Sequence, residues 1–141
     1  MNPLVVKRKL ERMLQYLGEL DTMSGISLDE YLSEVRERRA VERLIQLIVD
    51  VAVDINTHMV VDAGHPAPND SRSSFLGVER LGVLPSQVVK DIAPSVGERN
   101  IIVHQYDDLD DEIIHASIGQ TLRLYREYVR YVLQYLEKAQ P

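Results

Sequence analysis

Apolar residues recur at three- and four-residue intervals along almost the whole chain, and no run alternates long enough to make a strand. That period restricts the fold to packed helices, because one face of each helix must be buried against another. Leu10, Met13, Leu14, Leu17 and Leu20 mark a first helix over about Leu4 to Asp21. Ser27 opens S-L-D-E, a capping-box pattern, and a long segment follows from Leu28 to about Val61. Its inward stripe reads Tyr31, Leu32, Val35, Val41, Leu44, Ile45, Ile48, Val51, Ala52, Ile55 and Met59. The charges at Arg36 to Arg39 mark either a bend or a solvated face. Residues 62–70, with Gly64, Pro66 and Pro68, form a loop. A short helix is expected over Asp70 to Leu81, then a turn at Gly82 to Pro85. A helix from Pro85 towards His104 follows, kinked or broken near Pro94 and Gly97. A last long helix spans about Asp110 to Lys138.

The expected architecture is therefore an all-α, up-and-down bundle of about five helices, one domain over residues 1–141. The apolar share of 45% supports one core, and 27% charged residues argue against a disordered chain. The most apolar segment, Leu44 to Ile55, is interrupted by Gln46, Asp50 and Asp54, short of a membrane span. The N-terminus lacks the pattern of a signal peptide, so a cytoplasmic protein is the default expectation. The chain has no cysteine, which excludes disulfides, thiolate metal sites and cysteine nucleophiles. The net charge of −6 arises from 16 basic and 22 acidic residues, five of the latter clustered at Asp107, Asp108, Asp110, Asp111 and Glu112. Nucleic-acid binding by a bulk basic excess is thus excluded, and any such contact must come from a few placed residues.

On the last helix, Ile114, Ile118, Leu122, Tyr125, Val129, Val132 and Leu136 form a core stripe, with Arg123, Arg126, Arg130 and Glu137 opposite. A second stripe, Leu124, Tyr128, Tyr131 and Tyr135, reads as a core edge with hydroxyls reaching water, or as a subunit interface.

The segment Glu98 to Tyr106, E-R-N-I-I-V-H-Q-Y, carries the most chemistry. Asn100 and His104 are four apart and share a helix face. Arg99 lies on the side of Val89, Ile92, Val96 and Val103, an arginine set on an apolar stripe. An arginine there could pair with a carboxylate across the bundle, with His104 a half-buried structural residue. It could also present its planar fork to a phosphate, while a histidine takes and returns a proton near neutral pH. The second combination suits metal-independent phosphodiester cleavage in RNA, with a base removing the 2′-OH proton and a cation stabilising charge on the phosphate. His58, His65 and His115 show no ligand spacing that would make a metal site. No glycine-rich phosphate loop occurs, and no cofactor is expected. The acidic cluster most simply caps the last helix; docking a basic partner surface is the alternative.

Arg99, Asn100, His104 and Tyr106 together spell R-N-x-x-x-H-x-Y. With the long R-A-V-E-R-L-I-Q-L-I-V-D-V-A-V-D-I-N helix at Arg39 to Asn56, this resembles the HepT-like branch of the HEPN ribonuclease toxins over about residues 4–137. The resemblance implies a two-fold homodimer whose paired R-x4-H motifs meet in a cleft, and a metal-independent endoribonuclease toxin. It assigns the RNase site to Arg99, Asn100 and His104. It also implies a minimal nucleotidyltransferase antitoxin that transfers AMP from ATP to Tyr106. The other reading is a non-catalytic helical subunit that supports such a nucleotidyltransferase.

Overall fold

The computed structural model describes residues 2–139, so the first residue and the last two of the expected 1–141 domain lie outside the described residues. Six helices follow one another: α1 (Pro3–Asp21), α2 (Leu28–Ser33), α3 (Val35–Asp62), α4 (Ser71–Arg80), α5 (Ser86–His104) and α6 (Asp111–Ala139), with a 3-10 turn at Tyr106–Asp108 before α6. No strand occurs among the described residues. Local chemistry fixes most of the ends. Asn2 accepts from the Leu4 amide at 3.0 Å with Pro3 in the first turn, Ser27 accepts from the Glu30 amide at 3.1 Å, and Asp70 accepts from the Ser73 amide at 2.7 Å. Asp110 caps α6, accepting from the amides of Glu112 and Ile113 at 3.0 and 3.3 Å. The neighbouring Asp111 meets Arg38 at 3.7 Å.

The long second segment is two helices. Glu34 is extended, at φ −108° and ψ 97°, and separates α2 from α3. The break shifts the helical phase, so Leu32 and Val35 are exposed while Tyr31 and the stripe from Val41 to Met59 are buried. Leu14 on α1 is likewise half exposed. Of the kink or break expected near Pro94 and Gly97, the break does not occur: the helix runs unbroken through Pro94. A proline inside a helix costs about 3 kcal/mol. Here, Val88, Val89 and Ile92 before Pro94 and Ser95, Val96 and Ile102 after it are all buried, and that packing holds both halves in one helix.

α3 is the central element and packs against each of the other five helices. Against the sequence expectation, it is long and apolar enough by composition to cross a bilayer, yet most of its apolar residues lie in the bundle core. α4 crosses it closely at Gly77, where a Cβ would come within 2.7 Å of Val60 Cγ2. The core stripe of α6 is buried as expected. Its tyrosine edge divides. Tyr131 and Tyr135 are half-buried, whereas Tyr128 is fully buried and its hydroxyl reaches no water. That hydroxyl instead donates to Asn56 Oδ1 of α3 at 2.6 Å, and Asn56 Nδ2 donates to Ser74 Oγ of α4 at 3.2 Å. Beside it the Tyr125 hydroxyl meets Ser95 Oγ at 2.7 Å.

Candidate active site

The polar residues that interrupt the apolar run of α3 organise the site. Glu42, Gln46 and Asp50 are spaced four apart and so line one edge of the helix, from which Asp50 reaches Arg99 on α5 and Glu42 reaches Tyr106 just beyond it. Arg99 follows the buried stripe of α5 and is itself half-buried. Its Nε donates to Asp50 Oδ1 at 2.7 Å, a charge-assisted bond across the bundle. Its Nη1 lies 3.4 Å from Asn100 Oδ1. A guanidinium has five N–H donors. Asp50 engages the Nε edge and fixes the plane, and most of the Nη donors remain available to an anion.

His104 is the last residue of α5 and is exposed. The unbroken helix keeps it one turn beyond Asn100 on the same face, about 5–6 Å away between Cβ atoms. No hydrogen bond from its ring occurs among the described residues. Arg99, Asn100 and His104 thus border one exposed surface. Asn100 also closes one end of an apolar cleft of about 630 Å³ between α4 and α5, lined by Phe75, Val89, Ile92, Val96 and Gly97.

Tyr106 is placed differently. The 3-10 turn carries it away from Arg99, and its hydroxyl donates to Glu42 Oε1 at 2.9 Å. Arg39, one turn earlier on α3, pairs with Glu42 at 3.3 Å and lies over the Tyr106 ring, 5.1 Å from its centre. Partial burial, then the Glu42 carboxylate that accepts its proton, raise the Tyr106 pKa, so the hydroxyl is a protonated donor at neutral pH. The ring remains 43% exposed, which leaves one side open to a large reactant. Tyr31 lies against the same group; burial, then Glu42, raise its pKa, and its buried hydroxyl has no partner among the described residues.

Sequence reasoning located Arg99, Asn100, His104 and Tyr106 but not the residues that hold them. Asp50 was visible as an interruption of an apolar run, and Glu42 and Arg39 as charges inside the long helix. Nothing in the sequence said which turn of α3 would lie opposite α5. Of the remaining histidines, His115 Nε2 is 2.7 Å from the Ile26 carbonyl, His58 approaches Asp62 at 2.9 Å within its own helix, and His65 is exposed in the loop after α3. Among the described residues, no three His, Asp or Glu side chains gather as a metal site.

Known proteins sort this arrangement. The family model for "Ribonuclease HepT-like" matches residues 13–132. The "tRNA nuclease HepT" of Aphanizomenon flos-aquae is 36% identical over 134 residues, 95% of this chain and 91% of that protein. Among solved structures, the tri-AMPylated Shewanella oneidensis HEPN toxin in complex with MNT antitoxin superimposes with a TM-score of 0.85 at 19% identity, covering 95% of this chain and 99% of that one. The Bacillus subtilis cytosolic protein YutE gives 0.83 at 15% identity, covering 98% and 92%. With its all-helical bundle and a family match spanning nearly the whole chain, the protein belongs to the HepT-like ribonucleases, a family of endoribonucleases.

Proposed function

We propose that the protein is the ribonuclease toxin of a toxin–antitoxin pair, acts in the cytoplasm, and cleaves RNA without a metal ion. The observation that carries this reading is the Arg99 guanidinium, anchored through Nε by Asp50 at 2.7 Å, with its Nη donors beside Asn100 and one turn from an exposed His104. His104 takes the proton from a 2′-OH, whose oxygen attacks the adjacent phosphorus; the P–O5′ bond breaks to leave a 2′,3′-cyclic phosphate, and the departing 5′-oxygen takes a proton from the imidazolium or from water. Arg99 stabilises the charge that develops on the phosphate oxygens, and Asn100 orients the fork. A two-fold homodimer brings two such motifs to one cleft, and the apolar α4–α5 cleft with the exposed Val103 and Ile113 offers surface for a second copy. The relative from Aphanizomenon is a tRNA nuclease, which makes tRNA the first substrate to test.

The proposed off-switch is Tyr106, whose hydroxyl oxygen takes AMP from ATP with release of pyrophosphate, a transfer made by a nucleotidyltransferase antitoxin of the kind found with the Shewanella toxin. Its hydroxyl is presented at the surface by Glu42, and Arg39 is placed to receive a phosphate added there. A nucleotide on Tyr106 puts bulk and negative charge beside the path of an RNA backbone.

The direct test is incubation of purified protein with tRNA in EDTA. Cleavage that survives EDTA and disappears in His104→Ala is the expected result; an inert wild-type protein would favour the non-catalytic helical subunit. Intact-mass analysis after incubation with ATP and a nucleotidyltransferase antitoxin of that kind checks the switch. AMP additions should map to Tyr106 and be absent from Tyr106→Phe, and mapping to another tyrosine would remove the assignment.

A further inference from the structure

The chain is acidic overall, but its first helix is not. Between Pro3 and Tyr16, Lys7, Arg8, Lys9 and Arg12 stand against the single Glu11, a local excess of +3 in a chain of net −6. Arg8, Lys9 and Arg12 line a cavity of about 410 Å³ between α1 and α3, with Tyr16 at one end and Asp50 and Asp54 on the α3 wall. The wall's two carboxylates are engaged: Asp54 with Lys9 at 4.0 Å, and Asp50 with Arg99 at 2.7 Å. Arg8 and Arg12 are exposed and form no ion pair among the described residues. They lie four residues apart on one face of α1, about 6 Å along the axis.

We propose that this α1–α3 groove binds the sugar-phosphate backbone of RNA and leads it to Arg99. The inference rests on the ribonuclease reading and adds a binding site outside the R-x4-H motif. Two observations favour a nucleic acid over an acidic protein. The groove shares the Asp50 carboxylate with Arg99, so a strand lying in it meets the proposed cleavage site. Tyr16 adds an aromatic edge, half-buried against the core, of the kind on which bases stack. Arg8 and Arg12 supply two planar forks for successive phosphates, a local cationic site that the net charge conceals.

The test separates binding from cleavage. The probe is a fluorescein-labelled 2′-O-methyl oligoribonucleotide, which lacks the attacking hydroxyl and stays intact whatever the chemistry. Its affinity is measured by anisotropy against KCl concentration. The double variant Arg8→Ala/Arg12→Ala places a strong helix former at exposed positions and should fold normally, as circular dichroism would verify. It should bind about ten-fold more weakly, with the slope of log K against log salt reduced by about 1.4, the value for two lost contacts to a single strand. Arg8→Lys/Arg12→Lys should restore the slope. On unmodified tRNA the alanine pair should raise KM and leave kcat near the wild-type value. A control of equal charge change outside the groove, Lys7→Ala/Lys138→Ala, should cost less than about two-fold in affinity. The proposal is overturned if the groove pair binds like wild type or if the control loses as much. It is also overturned if RNA binding survives while the complex with the co-expressed nucleotidyltransferase is lost. A wild-type protein that binds the probe through the groove but cleaves no RNA would sink the ribonuclease reading and leave the groove standing.

Discussion

α3 carries polar residues into two different surroundings, and the contrast separates architecture from chemistry. Towards its C-terminal end, Asn56 is fully buried, with its carbonyl oxygen bonded to Tyr128 and its amide to Ser74. The groups are satisfied and solvent is excluded, the condition under which a buried polar network fixes helix register. From the middle of the helix back towards its start, Asp50 and Glu42 also reach across to other elements, but their partners are only partly covered. Arg99 keeps Nη donors unused and Tyr106 keeps an open face. Both regions use side chains of one helix to grip its neighbours. Only the second leaves binding capacity unspent, so only the second can act on another molecule.

If that division is right, substitutions at the two ends should have opposite signatures. The largest effect is expected at Arg99 and His104. Alanine at either should lower RNA cleavage by about 10²–10⁴-fold, measured as single-turnover rate on tRNA. His104→Ala should leave stability within about 0.5 kcal/mol of wild type, because the ring is exposed and unbonded. Arg99→Lys should recover little, since an ammonium lacks the planar fork. Tyr128→Phe should reverse the pattern. It strands the Asn56 carbonyl oxygen in the core, at a cost of about 1–3 kcal/mol in urea unfolding, with the cleavage rate per folded molecule unchanged. A Tyr128→Phe protein as stable as wild type but inactive would erase the distinction.

Asp50→Asn sharpens the comparison, because Asp50 acts on the proposed chemistry through its hold on the Arg99 fork. The partly exposed pair contributes about 0–1 kcal/mol to stability. The expected loss is about ten-fold in kcat with KM little changed, and a loss in stability alone would make the pair purely structural. Glu98 should give the smallest effect. Burial raises its carboxyl pKa, and Ser117, donating at 3.0 Å, lowers it only in part. A raised folded-state value means that the ionised form costs stability. That cost is absent below the usual glutamate pKa of about 4.3 and complete once pH exceeds the raised value. Glu98→Gln should therefore be more stable than wild type at pH 7 in urea unfolding, and the gap should close at pH 4.

Most of the helical frame was legible from the residues because helix formation and burial are periodic and local. The stripe Val41 to Met59 and that of Ile114 to Leu136 are buried as their spacing requires. Where the reading went astray, a local signal had been outweighed. Glu34 interrupts a continuous periodicity and turns Leu32 and Val35 outward, and Pro94 carries a break signal that packing on both sides of it overrides. In the candidate site, Arg99, Asn100, His104 and Tyr106 were visible as a spacing, and the likeness to a ribonuclease family gave that spacing a meaning.

By itself, then, the sequence determined most of the helices, most of their inward faces and the spacing of the four motif residues, because each is set by neighbours within a few positions along the chain. The tertiary structure alone decided the partners. Asp50 lies 49 residues from Arg99, Glu42 lies 64 from Tyr106, and Asn56 lies 72 from Tyr128. Which turn of α3 faces which turn of α5 or α6 follows from how side-chain volumes interdigitate across the whole core, and no local period encodes that register.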